Sequence, residues 1–233
     1  MPRDDHPILA AIAAAGFTPL GWFEPEPGDA VPGFADGAPA RAAVLVGNAG
    51  PAMFDRFALE RDSARDRLDD WCREVLGGLA ARLDASVHFP FDAPPLPFSA
   101  WARRAHAGHA SPLGLNIHPR YGLWQAYRAL LTFATPLPLA PPQLGPHPCQ
   151  TCAERPCLSS CPVAAFKPEG YDVAACAGHI GSNDGTECMS GGCLARRACP
   201  VGQAYGYEPR QARFHMAAFL AARLPTTIEG NVT

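Results

Sequence analysis

The sequence predicts an α+β chain, and three observations carry that reading. Helical and strand patterns are mixed through residues 1–145, a proline-rich connector follows, and eight of the nine cysteines then fall between Cys149 and Cys199. An apolar share of 48% over 233 residues can fill the core of one large domain or two modest ones. The net charge of −3, with no long run of either sign, leaves no electrostatic footprint for nucleic acid or an anionic membrane, and neither is expected as a partner.

Asp5 is placed to cap a first helix through Ala15, with Pro7 in the first turn and Gly16 as the stop. Its acidic start and short apolar stretch suit an amphipathic helix better than a signal peptide. No later apolar run approaches a membrane span, so the expected home is a reducing cytoplasm. Phe17 to Phe23 reads as a strand, residues 24–39 as a long Pro/Gly-rich loop of the kind that often covers a ligand, and Ala42 to Val46 as a short buried strand. Pro51 opens a helical turn. Ser63 begins a helix, because Ser63-x-x-Asp66 resembles a capping arrangement and Leu68, Trp71, Val75, Leu76 and Leu79 recur on one face. Cys72 lies in that pattern beside Trp71 and reads as a packed thiol.

Ser86 to Phe89 is a strand, the prolines at 90, 94, 95 and 97 force a turn, and Phe98 to Ala107 returns to helical spacing. Tyr121 to Phe133 reads as a long strand. Pro136 to Pro148 carries many prolines and no periodicity, the mark of a stiff connector, which places a domain boundary at 145/146. A final helix over Pro209 to Arg223, with Ala212, Met216, Phe219 and Leu220 on its apolar face, is expected to dock on the body. The resulting division is 1–145, 146–208 and 209–233.

The cysteines fall into two runs, Cys149-x2-Cys152-x4-Cys157-x3-Cys161-Pro162 and Cys176-x11-Cys188-x4-Cys193-x5-Cys199-Pro200. Thiolates are soft ligands for iron, and two four-cysteine runs each ending in Cys-Pro are the pattern of a bacterial ferredoxin-like domain with two 4Fe-4S clusters. In that pattern the fourth cysteine of each run ligates the other cluster. Cys149, Cys152, Cys157 and Cys199 then form one set, and Cys176, Cys188, Cys193 and Cys161 the other. The spacings depart from the compact consensus, most of all across the wide gap from Cys176 to Cys188. Zinc competes, although only one CxxC is present; disulfides compete too, but need an oxidising compartment.

Pro51-Ala52-Met53-Phe54-Asp55-Arg56 and Ile117-His118-Pro119-Arg120-Tyr121-Gly122-Leu123-Trp124-Gln125-Ala126-Tyr127-Arg128 stand in order with Gly16-Phe17 and Pro146-His147-Pro148-Cys149. Over roughly the first two-thirds of the chain these motifs resemble cobalamin-processing chaperones of the CblC type. The resemblance implies a nitroreductase-like corrinoid-binding domain that holds cobalamin base-off in a large apolar cavity. It implies that Gly114, Leu115, Asn116, Ile117, His118 and Pro119 lie beside the corrin, and that Arg128 helps bind a thiol co-substrate such as glutathione. Asn116 stands where animal relatives carry cysteine. The competing readings are plain ones: His118 before Pro119 could cap a turn, Trp124, Tyr127 and Arg128 could serve strand packing, and His88 could be a surface histidine rather than a pocket residue. His106, His109, His179 and His215 show no partner spacing and read as structural.

The cysteine block behind such a domain also resembles epoxyqueuosine reductases and reductive dehalogenases, which place two 4Fe-4S clusters beside cobalamin in a related fold. Together the resemblances imply an iron-sulfur oxidoreductase that accepts electrons from a donor protein or low-potential reductant and reduces base-off cobalamin, removing its upper axial ligand. The alternatives are a cobalamin carrier with structural or redox-sensing clusters, and a cobalamin-dependent reductase of an external substrate. Relatives with such pockets often pair, so a homodimer is a further expectation.

Overall fold

The computed structural model describes residues 6–62, 67–140 and 142–223. Asp5 and the Ser63–Asp66 cap lie outside them. The chain forms two compact units: Met1–Ser111, Leu115–Glu154 and Pro200–Gly206 make the first, and Pro112–Gly114, Arg155–Cys199 and Tyr207–Thr233 the second. Among the described residues no helix is long and apolar enough to cross a membrane.

The first unit is α+β. Helix α1 (Pro7–Ala14) is capped by His6, whose Nδ1 accepts from the Ile8 amide at 3.3 Å, and Gly16 at φ +86 ends it. Strands β1 (Thr18–Phe23) and β2 (Ala42–Ala49) follow, then α2 (Ala52–Glu60), α3 (Leu68–Arg82), β3 (Ser86–His88) and α4 (Phe98–Arg104). A two-residue hairpin, β4 (His109–Ala110) and β5 (Asn116–Ile117), precedes the long strand β6 (Gln125–Phe133). The main sheet has the order β1-β2-β6-β3, antiparallel throughout. From Ala42 to Asn48 every residue of β2 is buried, because helices cover both faces of the sheet.

On one face Phe98, Trp101, Ala102 and Ala105 pack against Leu20, Phe23, Ala43, Leu45 and Leu130. Trp101 Nε1 and Arg104 Nε reach Asp29, at 2.7 Å to its carbonyl and 2.9 Å to its carboxylate, and so tie the long 24–39 loop to α4. On the other face α3 buries Leu68, Trp71, Cys72, Leu76, Leu79 and Ala80, and Trp71 stacks on Phe17 with ring centroids 5.4 Å apart.

The second unit follows a different plan. It contains α5 (Pro156–Ser159), the hairpin β7 (Phe166–Lys167) and β8 (Gly170–Tyr171), α6 (Val173–Ile180), α7 (Thr186–Gly191), α8 (Leu194–Arg197) and α9 (Pro209–Ala221). Helix α9 packs on α7 and α6, and α5 on α8. The interior is poor in large apolar groups, its buried side chains being mostly cysteine and alanine: Cys157, Ala165, Cys188, Ala195, Cys199 and Ala212, with Ile180 and Leu113 the large exceptions.

Candidate metal centre and ligand site

The wide gap from Cys176 to Cys188 is closed by local structure. Cys176 lies on α6, whose N-terminus is capped by Asp172 Oδ1 accepting from the Ala175 amide at 2.9 Å, and Cys188 lies on α7. Between them a single turn of 3-10 helix, Asn183–Gly185, folds the chain back. It can do so because Gly185 is glycine: a Cβ there would stand 2.0 Å from the His179 carbonyl oxygen. Cys193 begins α8, and Cys161 accepts a hydrogen bond from the Ala165 amide at 3.3 Å.

These four thiols feel one another. Burial pushes the Cys188 thiol up, and Cys176 and Cys161 push it further. Burial likewise raises Cys193, with Cys176 and Cys188 adding to it. Backbone amides work in the opposite sense, Leu194 donating to Cys188, and Arg196 and Ala195 to Cys193. Tyr171, stacked on Phe166 at 5.0 Å, has its hydroxyl driven upward by burial, by a hydrogen bond to Cys176 and by the charges of Cys176, Cys193 and Cys161. So Cys161, Cys176, Cys188 and Cys193, the set read from the crossed-run pattern, gather in one neighbourhood.

Four neighbouring thiolates repel, and ionising them together requires a positive centre or donors at sulfur. A cubane iron core supplies the first and backbone N–H groups the second, so this donor set fits a 4Fe-4S cluster. Among the described residues no disulfide forms, and no three His, Cys, Asp or Glu side chains are drawn tightly enough to hold one metal ion. Of the remaining cysteines in the runs, Cys149 and Cys152 belong to the first unit, and Cys157 and Cys199 are buried in the second. The His147 ring Nδ1 accepts from the Cys149 amide at 3.2 Å and its ring stacks on His109, which in turn meets the Gly145 carbonyl at 2.9 Å. Cys72 is a core thiol, raised to about 11 by burial.

The residues predicted beside a corrin divide among several roles. Gly114 sits at φ +73 in the second unit, while Leu115 onward belongs to the first. Leu115 is exposed, Asn116 Nδ2 donates to the Tyr127 hydroxyl at 2.9 Å, and Ile117 is core. His118 does cap a turn: its Nδ1 accepts from the Arg120 and Tyr121 amides at 3.0 and 3.1 Å, and its backbone pairs with Gly122 in both directions. Burial, with Arg120 and His109 nearby, lowers its pKa to about 4. Pro119 lies against Gly145. This closed turn is why the last strand starts at Gln125 and not at Tyr121.

Arg128 stands at a bulge, where the pairing of β2 with β6 steps from Val46↔Ala129 to Gly47↔Tyr127. The extra residue re-aims its side chain. Tyr127 packs with the Leu45 and Leu130 face, while Arg128 Nε reaches Asn48 at 3.0 Å and lies near enough to Cys72 to act on its charge. The structure therefore groups Arg128 with Asn48 and α3, and Asn116 with Tyr127. His88 pairs with Thr132 Oγ1 at 3.3 Å in the sheet, its pKa lowered by burial.

Gln125, which the sequence did not single out, has Nε2 on the Ala107 carbonyl at 3.0 Å and a buried Oε1 with no partner among the described residues. A separate cleft of about 420 Å³, lined by α1, Arg56 and α3, includes none of residues 114–119 or Arg128.

No protein-family model and no curated protein matches the chain. Among solved structures it resembles epoxyqueuosine reductases. One, crystallised with an epoxyqueuosine-modified tRNA-Tyr stem loop, gives a TM-score of 0.53 at 18% identity over 88% of this chain and 69% of that one. The Bacillus subtilis enzyme gives 0.50 at 18% over 87% and 69%, and the Streptococcus thermophilus enzyme 0.51 at 16% over 88% and 69%. The chain thus has the α+β fold of these reductases.

Proposed function

We propose that the protein is an iron-sulfur, cobalamin-dependent reductase acting on an external substrate. The observation that carries this reading is the gathering of Cys161, Cys176, Cys188 and Cys193 within a fold that epoxyqueuosine reductases share. In this reading those four thiols hold one 4Fe-4S cluster, and the crossed-run pattern assigns Cys149, Cys152, Cys157 and Cys199 to a second. The amides of Leu194, Ala195 and Arg196 stabilise thiolate charge. Leu115, exposed within the predicted corrin segment, would offer the corrinoid an apolar contact. When bound, the clusters supply single electrons from a donor protein or low-potential reductant, and the corrinoid supplies a reducible cobalt.

One neighbour was solved with a tRNA stem loop, so such a stem loop is the first external substrate to assay, against the expectation from charge that nucleic acid is not a partner. A second reading, reduction of cobalamin with loss of its upper ligand, is favoured by the motifs at residues 51–56 and 117–128. The test is anaerobic reconstitution with iron and sulfide, cobalamin titration, and turnover of an epoxyqueuosine-bearing stem loop beside cyanocobalamin. Cluster absorption with a corrin shift at micromolar protein supports the proposal, and the preferred substrate separates its two forms. A reconstituted protein that leaves the corrin spectrum unmoved refutes both.

A further inference from the structure

Gln211 lies in the first turn of α9 and is fully buried, yet neither its Nε2 nor its Oε1 has a hydrogen-bond partner among the described residues. Burying an amide unpaired costs free energy, and native proteins seldom do so without a partner such as water, an ion or a cofactor. One turn further along α9 the ring Nε2 of His215 is also buried. The other buried side chains among the described residues of the second unit are cysteines, alanines, Ile180 and Leu113, none of them a strong donor or acceptor.

The position of α9 says where the amide is. The helix packs along α7, which carries Cys188, and against α6, which carries Cys176. Ala212, the residue after Gln211, has its Cβ 3.3 Å from where a Cβ on Gly192 would stand, and Gly192 adjoins Cys193. Gln211 therefore stands one residue from the contact that α9 makes with the segment between Cys188 and Cys193.

We infer that Gln211 tunes the cluster held by Cys161, Cys176, Cys188 and Cys193, its Nε2 donating a hydrogen bond to a cluster or thiolate sulfur. The inference rests on the cluster reading above. A donor at sulfur favours the more negative, reduced state, so Gln211 raises the midpoint potential. Its position is not marked by the cysteine spacing, because it arrives from a helix that follows both runs.

The test compares reconstituted full-length protein with Gln211→Leu and Gln211→Met by redox titration followed by electron paramagnetic resonance, with iron and sulfide counted in each. The expected result is wild-type iron content and a reduction equilibrium shifted about tenfold toward the oxidised state, which is about 59 mV for a one-electron couple. Pulsed resonance on reduced wild-type protein labelled with ¹⁵N at the glutamine amide should show a nitrogen coupling to the cluster that both variants lose. If the variants fail to retain iron, the wild-type coupling alone decides. A cluster with an unmoved midpoint, or labelled wild type without the coupling, overturns the role of Gln211 and leaves the cluster reading standing. A wild-type protein that takes up no cluster overturns both.

Discussion

Removing iron should unfold the second unit. Among the described residues of that unit only Ile180 and Leu113 are large buried apolar side chains, and each contributes about 1.5–3 kcal/mol when taken out of water. Thiolate binding of a structural metal is stronger, about 10–16 kcal/mol for zinc in small domains. Apolar burial is therefore the smaller term in this unit. The first unit is built the other way, with Trp71, Trp101, Phe54 and Phe57 all fully buried. Hydrogen exchange on anaerobically prepared protein, before and after chelation, should show the amides of α6, α7 and α9 losing protection while those of β2 and β6 keep theirs. Cys188→Ala should reproduce the effect without chelator. Amides in α6, α7 and α9 that stay protected when iron content has fallen to zero would refute the reasoning.

Leu45→Ala, in the two-sided core of β2, should cost about 2–5 kcal/mol in denaturant melts of the first unit. Gly122 sits at φ +58, and a Cβ there would stand 1.9 Å from the Val201 carbonyl oxygen. Gly122→Ala should thus lower the melting temperature more than Gly28→Ala, which meets nothing within 4 Å; equal shifts would count against that contact. The His118 pKa is lowered from 6.5 to about 4, so the unfolded chain binds more protons between those values. The stability contribution of His118 is complete above about pH 6.5 and is lost as pH falls toward about 4, because a protonated Nδ1 cannot accept from Arg120 and Tyr121. His118→Ala should flatten that part of the stability profile, and an unchanged slope would show that other groups set it.

Most of the first unit was legible because its signals are periodic. The apolar stripe of α3 and the proline turn before α4 point the same way in sequence and in space. The cysteine runs stand out for another reason, since soft ligands at short spacing have few uses. What escaped was local and aperiodic. The β4–β5 hairpin has two residues per strand, too few for any alternation to register. The Tyr121 start of the last strand failed because His118 consumes two amides in a turn, an outcome that hydrophobic pattern does not encode. The direction of Arg128 depends on one extra residue in the pairing of β6, and single-sequence alternation would place it on the wrong face. Gln211 carries no periodic signal, because the apolar pattern of α9 runs through Ala212 and Met216 on the same turns.

The order in which the second unit can be assembled is written in its connectivity. Cys161, Cys176, Cys188 and Cys193 all leave the ribosome before α9, yet α9 is the helix that packs over α7 and α6. Until residue 221 has been synthesised, that wall is missing and the thiols stand open to whatever delivers iron and sulfide. In the proposed cluster reading, loading can come first and helix closure last. A chain cut short at residue 208 would keep all eight cysteines of the two runs and lack the helix that covers α7 and α6.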